Sequence, residues 1–168
     1  MLLRISGALL VAAAVTLAGY MKSEALYRRE IRCRSIRECL IRSSYLIRYR
    51  SLTVYELCAE LKNSPFSSDL SFINSLPEEH IQGTGFSSLW ESALDMQTDM
   101  ETEERQLLHR LGSELGNSDT EGQLKMLAAL AEEASILHER RRTEYGTHGR
   151  LWRSVGVLAG LMAAVLII

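Results

Sequence analysis

The sequence is short of the residues that catalysis, metal binding and disulfide frameworks require. Its three cysteines, Cys33, Cys39 and Cys58, are odd in number and lack a Cys-x-x-Cys spacing. They cannot all be paired, and they read as small apolar packing residues. The four histidines, His80, His109, His138 and His148, stand alone. None is four residues from another, and none lies near a cysteine at a zinc-binding spacing. His109 and His138 could face each other across a helix corner, but solvated or core roles suit all four better. No GxxxxGK[S/T] loop cradles a phosphate and no GxSxG elbow presents a nucleophile. The acidic runs Glu101-Thr102-Glu103-Glu104 and Glu132-Glu133 read as solvated helix faces. No enzyme activity, metal or cofactor is therefore expected.

Charge is also missing, in two places. Ile5 to Met21 is seventeen residues without a charge, and Val155 to Ile168 is fourteen apolar residues. As helices they would extend about 26 Å and about 21 Å. Both are shorter than the roughly 20 residues of an ordinary membrane span, but a terminal segment can insert where the bilayer thins. The first also has the form of a signal-peptide core, with Arg4 before it and Ala12-Ala13-Ala14 inside it. The basic stretch that follows disfavours export, so the reading is a retained anchor.

The charges present are sorted. Lys22 to Arg50 carries nine basic and three acidic residues, and His138 to Arg153 carries five and two. Between them, Glu56 to Glu133 carries four basic and sixteen acidic residues. Basic flanks remain on the cytoplasmic side of a membrane. The expected organisation is a transmembrane helix over 1–21, a cytoplasmic body with basic collars over 22–150, and a second transmembrane helix over 151–168. The arginines nearest the spans, Arg28, Arg29, Arg32, Arg150 and Arg153, are expected to meet lipid headgroups. Arg34 and Arg37 continue the same cluster. Lipid is the nearer partner, and no nucleic-acid role is assigned.

Within the body the periodicity is helical and no strand is convincing. Leu26, Cys33, Ile36, Leu40 and Ile47 mark one helix face. Thr53-Val54-Tyr55-Glu56 has the form of a capping box and opens a short helix that ends at Asn63-Ser64-Pro65. Phe66, Leu70 and Ile73 suggest another short helix, and Gly83-Thr84-Gly85 a break. Phe86, Leu89, Trp90, Ala93 and Leu94 form a further face. Leu107, Leu108, Leu111 and Leu115 are the buried row of the next helix. The last is expected from Ser118 to about Tyr145, loosened by Gly146 and Gly149. The class is all-α, an antiparallel bundle of about six helices.

One stretch, "LGSELGNSDTEGQ", interrupts a helix with two glycines. Gly116-Asn117 reads as a helix stop, with glycine adopting the left-handed conformation. Ser118-Asp119-Thr120-Glu121 reads as a second capping box. Gly112 lies one turn before Gly116 on the same face, where missing side chains would admit another backbone. The corner Gly112, Gly116, Ser118, Asp119 and Gln123 shapes the fold first and is a candidate docking surface second. In the spans, Ala8, Ala12 and Thr16 recur every four residues, and Gly156 and Gly160 form a GxxxG. Small residues at this spacing allow close helix packing in lipid. The two spans are expected to pack on each other or on a second copy.

These features resemble a known family. "GALLVAAAVTLAGY", the Leu-Gly-x-x-Leu-Gly-x-Ser-Asp-x-x-x-Gln pattern from Leu111 to Gln123 and the Trp152-to-Gly160 entry to the second span resemble stage III sporulation protein AB. "SLWESAL" and Ile47, Tyr49 and Glu56 add weaker likeness. The chain departs from the usual Thr-Pro-Leu, having Leu52-Thr53-Val54 instead, and its arginine-rich segment is unusual. The resemblance implies a membrane complex linking mother cell and forespore during sporulation. It implies a body like the helical domains of type II secretion F proteins. It also implies a secretion-type ATPase, the sporulation AA protein, as partner. The location implied is the mother-cell side of the outer forespore membrane. A membrane-tethered regulator outside any channel is the alternative.

Overall fold

The computed structural model describes residues 2–50, 52–81 and 83–167, with side chains from 6 to 165. Among the described residues every regular element is helical, with no strand. The elements are α1 (Leu2–Arg50), α2 (Val54–Lys62), α3 (Phe86–Met96), α4 (Thr102–Glu114), α5 (Thr120–Glu144) and α6 (Arg150–Ile167). Two 3-10 turns, Pro65–Ser68 and Ser71–Ser75, lie between α2 and α3. A π-helical segment, Tyr145–Gly149, joins α5 to α6.

Several boundaries follow from local chemistry. The Thr53 side chain accepts the Glu56 N–H while the Glu56 carboxylate accepts the Thr53 N–H, so the expected capping box opens α2. Those bonds from Thr53 hold the Glu56 carboxyl below its usual pKa. A second reciprocal box, Glu101 with Glu104, opens α4. The helix expected over Phe66 to Ile73 is replaced by the two 3-10 turns. Buried Gln97 holds them there, its Oε1 accepting the Phe72 N–H (3.3 Å) and its amide donating to the Asp69 carbonyl (3.1 Å). The glycines after Glu144 do not break the last helix. They fall within the π segment, and because the two 3-10 turns replace one expected helix, the body expected to hold about six helices shows five among the described residues.

The chain divides into two compact units, Met1–Glu30 with Glu139–Ile168, and Ile31–His138. The second has a conventional core. Ile36 and Leu40 of α1, Leu57 and Leu61 of α2, Leu70, Phe72, Ile73 and Leu76 of the turns, Trp90 and Leu94 of α3 and Leu108 of α4 are all buried. Cys33, Cys39 and Cys58 are buried and none is in a disulfide, as packing residues would be. Burial pushes the Cys39 and Cys58 thiols up to about 12.

The first unit is built differently. Among the described residues α1 is the helix long and apolar enough to cross a membrane, with mean hydropathy 1.3 in its most apolar window. α6 runs 18 residues, about 27 Å of helix.

Candidate functional site

The helix corner forms largely for the reasons its residues suggest, with two corrections. Gly116 takes φ of 83°, open to glycine without a Cβ penalty. Leu115 N–H bonds the Leu111 carbonyl and Asn117 N–H the Glu114 carbonyl (3.0 and 3.1 Å), closing α4. The cap of α5 is Asp119 rather than Ser118. Its Oδ1 accepts the Gly122 N–H (3.0 Å), and Gln123 reaches back to the Ser118 carbonyl (2.8 Å). Glu121 instead pairs with Lys125. The shorter carboxylate of Asp119 sits directly before the first helical residue, so it reaches the third N–H where the Ser118–Glu121 pairing would be one residue out of register.

Gly112 does not admit another backbone. A Cβ there would strike the Trp90 indole, with Nε1 only 2.5 Å away. The indole N–H donates to the Leu108 carbonyl at 2.8 Å, which satisfies the one polar atom of a fully buried ring. Gly116 abuts Val54, whose Cγ2 would be 3.1 Å from an added Cβ. The corner is therefore packed on α2 and α3, and its exposed run is Gly116, Asn117, Ser118 and Asp119.

In the first unit the small residues do meet. A Cβ on Gly160 would lie 2.7 Å from Thr16 Oγ1 and 2.8 Å from the Ala12 carbonyl. One on Gly156 would lie 3.0 Å from the Gly19 Cα. Ala8 is buried, and the Thr16 hydroxyl donates to the Ala12 carbonyl (2.8 Å), leaving no unpaired donor on the seam. Gly19, absent from the sequence reading, is the tightest point, 2.6 Å from the Trp152 carbonyl if given a Cβ. The signal was available: 12, 16 and 19 continue one helix face.

The large apolar side chains of this unit point the other way. Leu9, Leu10, Leu17, Leu158, Leu161, Met162 and Val165 are all exposed. Where the apolar runs end, polar and aromatic groups pair across the two helices. Lys22 lies over the Trp152 ring (5.9 Å) and Arg153 over the Tyr20 ring (5.4 Å). Arg153 Nε also donates to the buried Ser23 hydroxyl (2.9 Å). Tyr27 packs on Tyr145 in the π segment, ring centroids 5.2 Å apart.

The arginines assigned to headgroups separate. Arg28 is exposed and pairs with Glu24 at 3.3 Å, Arg29 is half-buried and Arg150 exposed. Arg32 is not available to lipid. It is buried, its Nε donating to Glu104 Oε2 at 2.7 Å and its Nη1 pairing with Asp99. Glu104, read as solvated, is fully buried; besides Arg32 it accepts the Glu101 N–H (3.0 Å) and the Cys33 S–H (3.3 Å). A buried pair so bonded is satisfied as a set, and removing one member strands the other.

Two of the histidines have partners of other kinds. His109 pairs with Glu91 (3.1 Å) and His80 bonds the Tyr55 hydroxyl (3.0 Å). No group of three His, Cys, Asp or Glu able to hold a metal occurs among the described residues.

Comparison with curated proteins and with solved structures finds no match. Against known families, residues 4–168 match stage III sporulation protein AB, and the chain belongs to that family.

Proposed function

We propose that the chain is a non-enzymatic, membrane-anchored platform in the complex linking mother cell and forespore. Family membership ties it to sporulation. α1 and α6 insert as a hairpin, and the body between residues 22 and 150 stays in the cytoplasm, where it docks a secretion-type ATPase. The observation that carries the anchor is the inverted packing of the first unit. Glycines and alanines face inward while leucines and valines face outward, an arrangement that water penalises and lipid does not.

The remaining roles follow from that placement. Arg28, Arg29, Arg150 and Arg153 sit beyond the apolar runs, where anionic headgroups attract them. Trp152 and Tyr20 have the amphipathic rings favoured at that depth. The exposed tip Asn117 to Asp119 and the acidic residues around it offer charge to a basic surface of the ATPase.

Two measurements test this. A cysteine placed at exposed Ser118 should resist a membrane-impermeant thiol reagent in intact cells and react after lysis. The native thiols are buried and will not compete. Modification in intact cells would overturn the orientation. Full-length protein in detergent should co-purify with the ATPase at low salt and without other sporulation proteins. Absence of binding with both partners folded would remove the docking role and leave the anchor standing.

A further inference from the structure

The seam between α1 and α6 ends in two matched pairs. Lys22 of α1 lies over the Trp152 ring of α6 at 5.9 Å, and Arg153 of α6 lies over the Tyr20 ring of α1 at 5.4 Å. Gly19 and Ser23, which meet α6 at Gly156 and Arg153, mark the inner line of α1. With 3.6 residues per turn, Tyr20 and Lys22 fall about 80° to either side of that line. The two pairs therefore flank the seam, one on each side and at the same level. Each takes its cation from one helix and its ring from the other, and all four side chains are exposed.

Nothing in the unit neutralises these two cations. No Asp or Glu precedes Glu24 or follows Glu144. The nearest carboxylates go elsewhere, Glu24 to Arg28 and Glu144 to Arg141. Lys22 and Arg153 have no carboxylate partner among the described residues. Arg153 donates from Nε to the Ser23 hydroxyl (2.9 Å) and from Nη2 to the Tyr145 hydroxyl (3.5 Å), which fixes the guanidinium and leaves Nη1 without a protein partner. The rings add donors, since an indole N–H and a phenol O–H each offer one hydrogen. One side thus presents an ammonium with an indole N–H, and the other a guanidinium with a phenol O–H. Charged donors with no competing carboxylate are what a phosphate oxygen binds best.

We infer that each side of the seam, at its polar end, holds the phosphate of an anionic phospholipid, one through Lys22 and Trp152 and the other through Arg153 and Tyr20. The inference rests on the proposed membrane hairpin and sharpens it into two defined sites. Arg28 shares the general attraction of the basic collar but belongs to neither site, because Glu24 already meets its charge. A lipid suits the sites better than a free anion. Leu17, Met21, Val155 and Leu158, which lie along the apolar runs beside the pairs, are exposed and open to acyl chains. A headgroup held in this way touches both helices, so anionic lipid should stabilise the closed seam.

The test uses full-length protein in bilayers of phosphatidylcholine and phosphatidylglycerol in equal parts, with bromine on the acyl chains of one lipid or the other. Bromine quenches tryptophan on contact, and Trp90 is fully buried, so the signal reports Trp152. Brominated phosphatidylglycerol should quench more, matching about fivefold local enrichment for one basic side chain. Lys22→Gln should remove that excess, while Arg28→Gln and Arg153→Gln should keep it. Carrying Tyr20→Trp and Trp152→Tyr together moves the reporter to the other side, where the excess should depend on Arg153 and not on Lys22. Quenching by brominated phosphatidylcholine should stay constant in every variant, showing that the hairpin remains inserted. Equal quenching by the two lipids overturns the sites and leaves the anchor standing. No quenching by either overturns the hairpin as well. An excess that Arg28→Gln lowers as much as Lys22→Gln is diffuse attraction, and the sites are wrong. An excess removed by inorganic phosphate at constant ionic strength assigns the sites to a free anion and overturns the lipid.

Discussion

The two units solve the packing problem in opposite ways. In Ile31–His138, large side chains turn inward: Trp90, Phe72 and a set of leucines are buried, together with the paired charges of Arg32 and Glu104. In the terminal unit, Gly19, Gly156 and Gly160 form the inner contact and the leucines lie outside. The first arrangement draws its stability from removing apolar surface from water. The second gains little that way and relies on close backbone approach, which is effective where the surroundings are already apolar. The difference is visible in which residue sizes face each other.

Substitutions can break each half of that comparison separately. The largest effect should come from the inward-facing half. Trp90→Ala removes the ring that fills the space opposite Gly112 and frees the Leu108 carbonyl. It should destabilise the second unit by about 3–5 kcal/mol, measured by denaturant unfolding. A loss under 1 kcal/mol would mean that the core closes without it.

The outward-facing half predicts a split readout. Leu158→Arg alters a side chain that is 62% exposed, so the packing of the two helices should barely change. In a bilayer the same substitution should cost about 2.5–3.5 kcal/mol of insertion free energy, seen as a lower membrane-inserted fraction in an in vitro translocation assay. Equal insertion of both chains would show that this face does not meet lipid.

The corner should respond more weakly. Asp119→Ala removes a cap bond to Gly122 and should cost about 1 kcal/mol. Thermal unfolding measures it, and sporulation in a stabilised background should persist. Loss of sporulation with an unchanged melting temperature would shift the role of Asp119 from cap to contact.

The smallest effect concerns the buried thiols. Burial raises Cys39 and Cys58 from 9.0 to about 12, so the folded protein holds their protons more tightly than the unfolded chain. Their contribution is complete below pH 9 and is lost as pH rises from about 9 toward 12. Melting temperature should fall over that window, and replacing both with alanine should flatten the slope. An unchanged slope would assign the alkaline loss to other groups.

Local chemistry was legible in the sequence and long-range chemistry was not. The Thr53–Glu56 box and the Gly116 stop involve residues within a few positions of each other, and pattern alone places them. The ion pair of Arg32 with Glu104 joins positions 72 residues apart, and nothing in either neighbourhood distinguishes them from a solvated arginine and a solvated glutamate. The 3-10 turns depend in the same way on Gln97, some 25 residues downstream of the Phe72 amide that it holds. Small-residue spacing placed Ala12, Thr16, Gly156 and Gly160 on helix faces. Which face met which needed coordinates, and so did the part played by Gly19.

The π segment Tyr145–Gly149 has a consequence for everything after it. A π turn holds one residue more than an α turn, so it sets the phase of α6 against the residues just before it. Wound as plain α-helix with the same number of residues, the segment would turn the downstream helix by about 100° relative to its present setting. Gly156 and Gly160 would then swing off Gly19 and Ala12. The angular setting of the C-terminal helix is therefore stored in five residues that lie upstream of its apolar run.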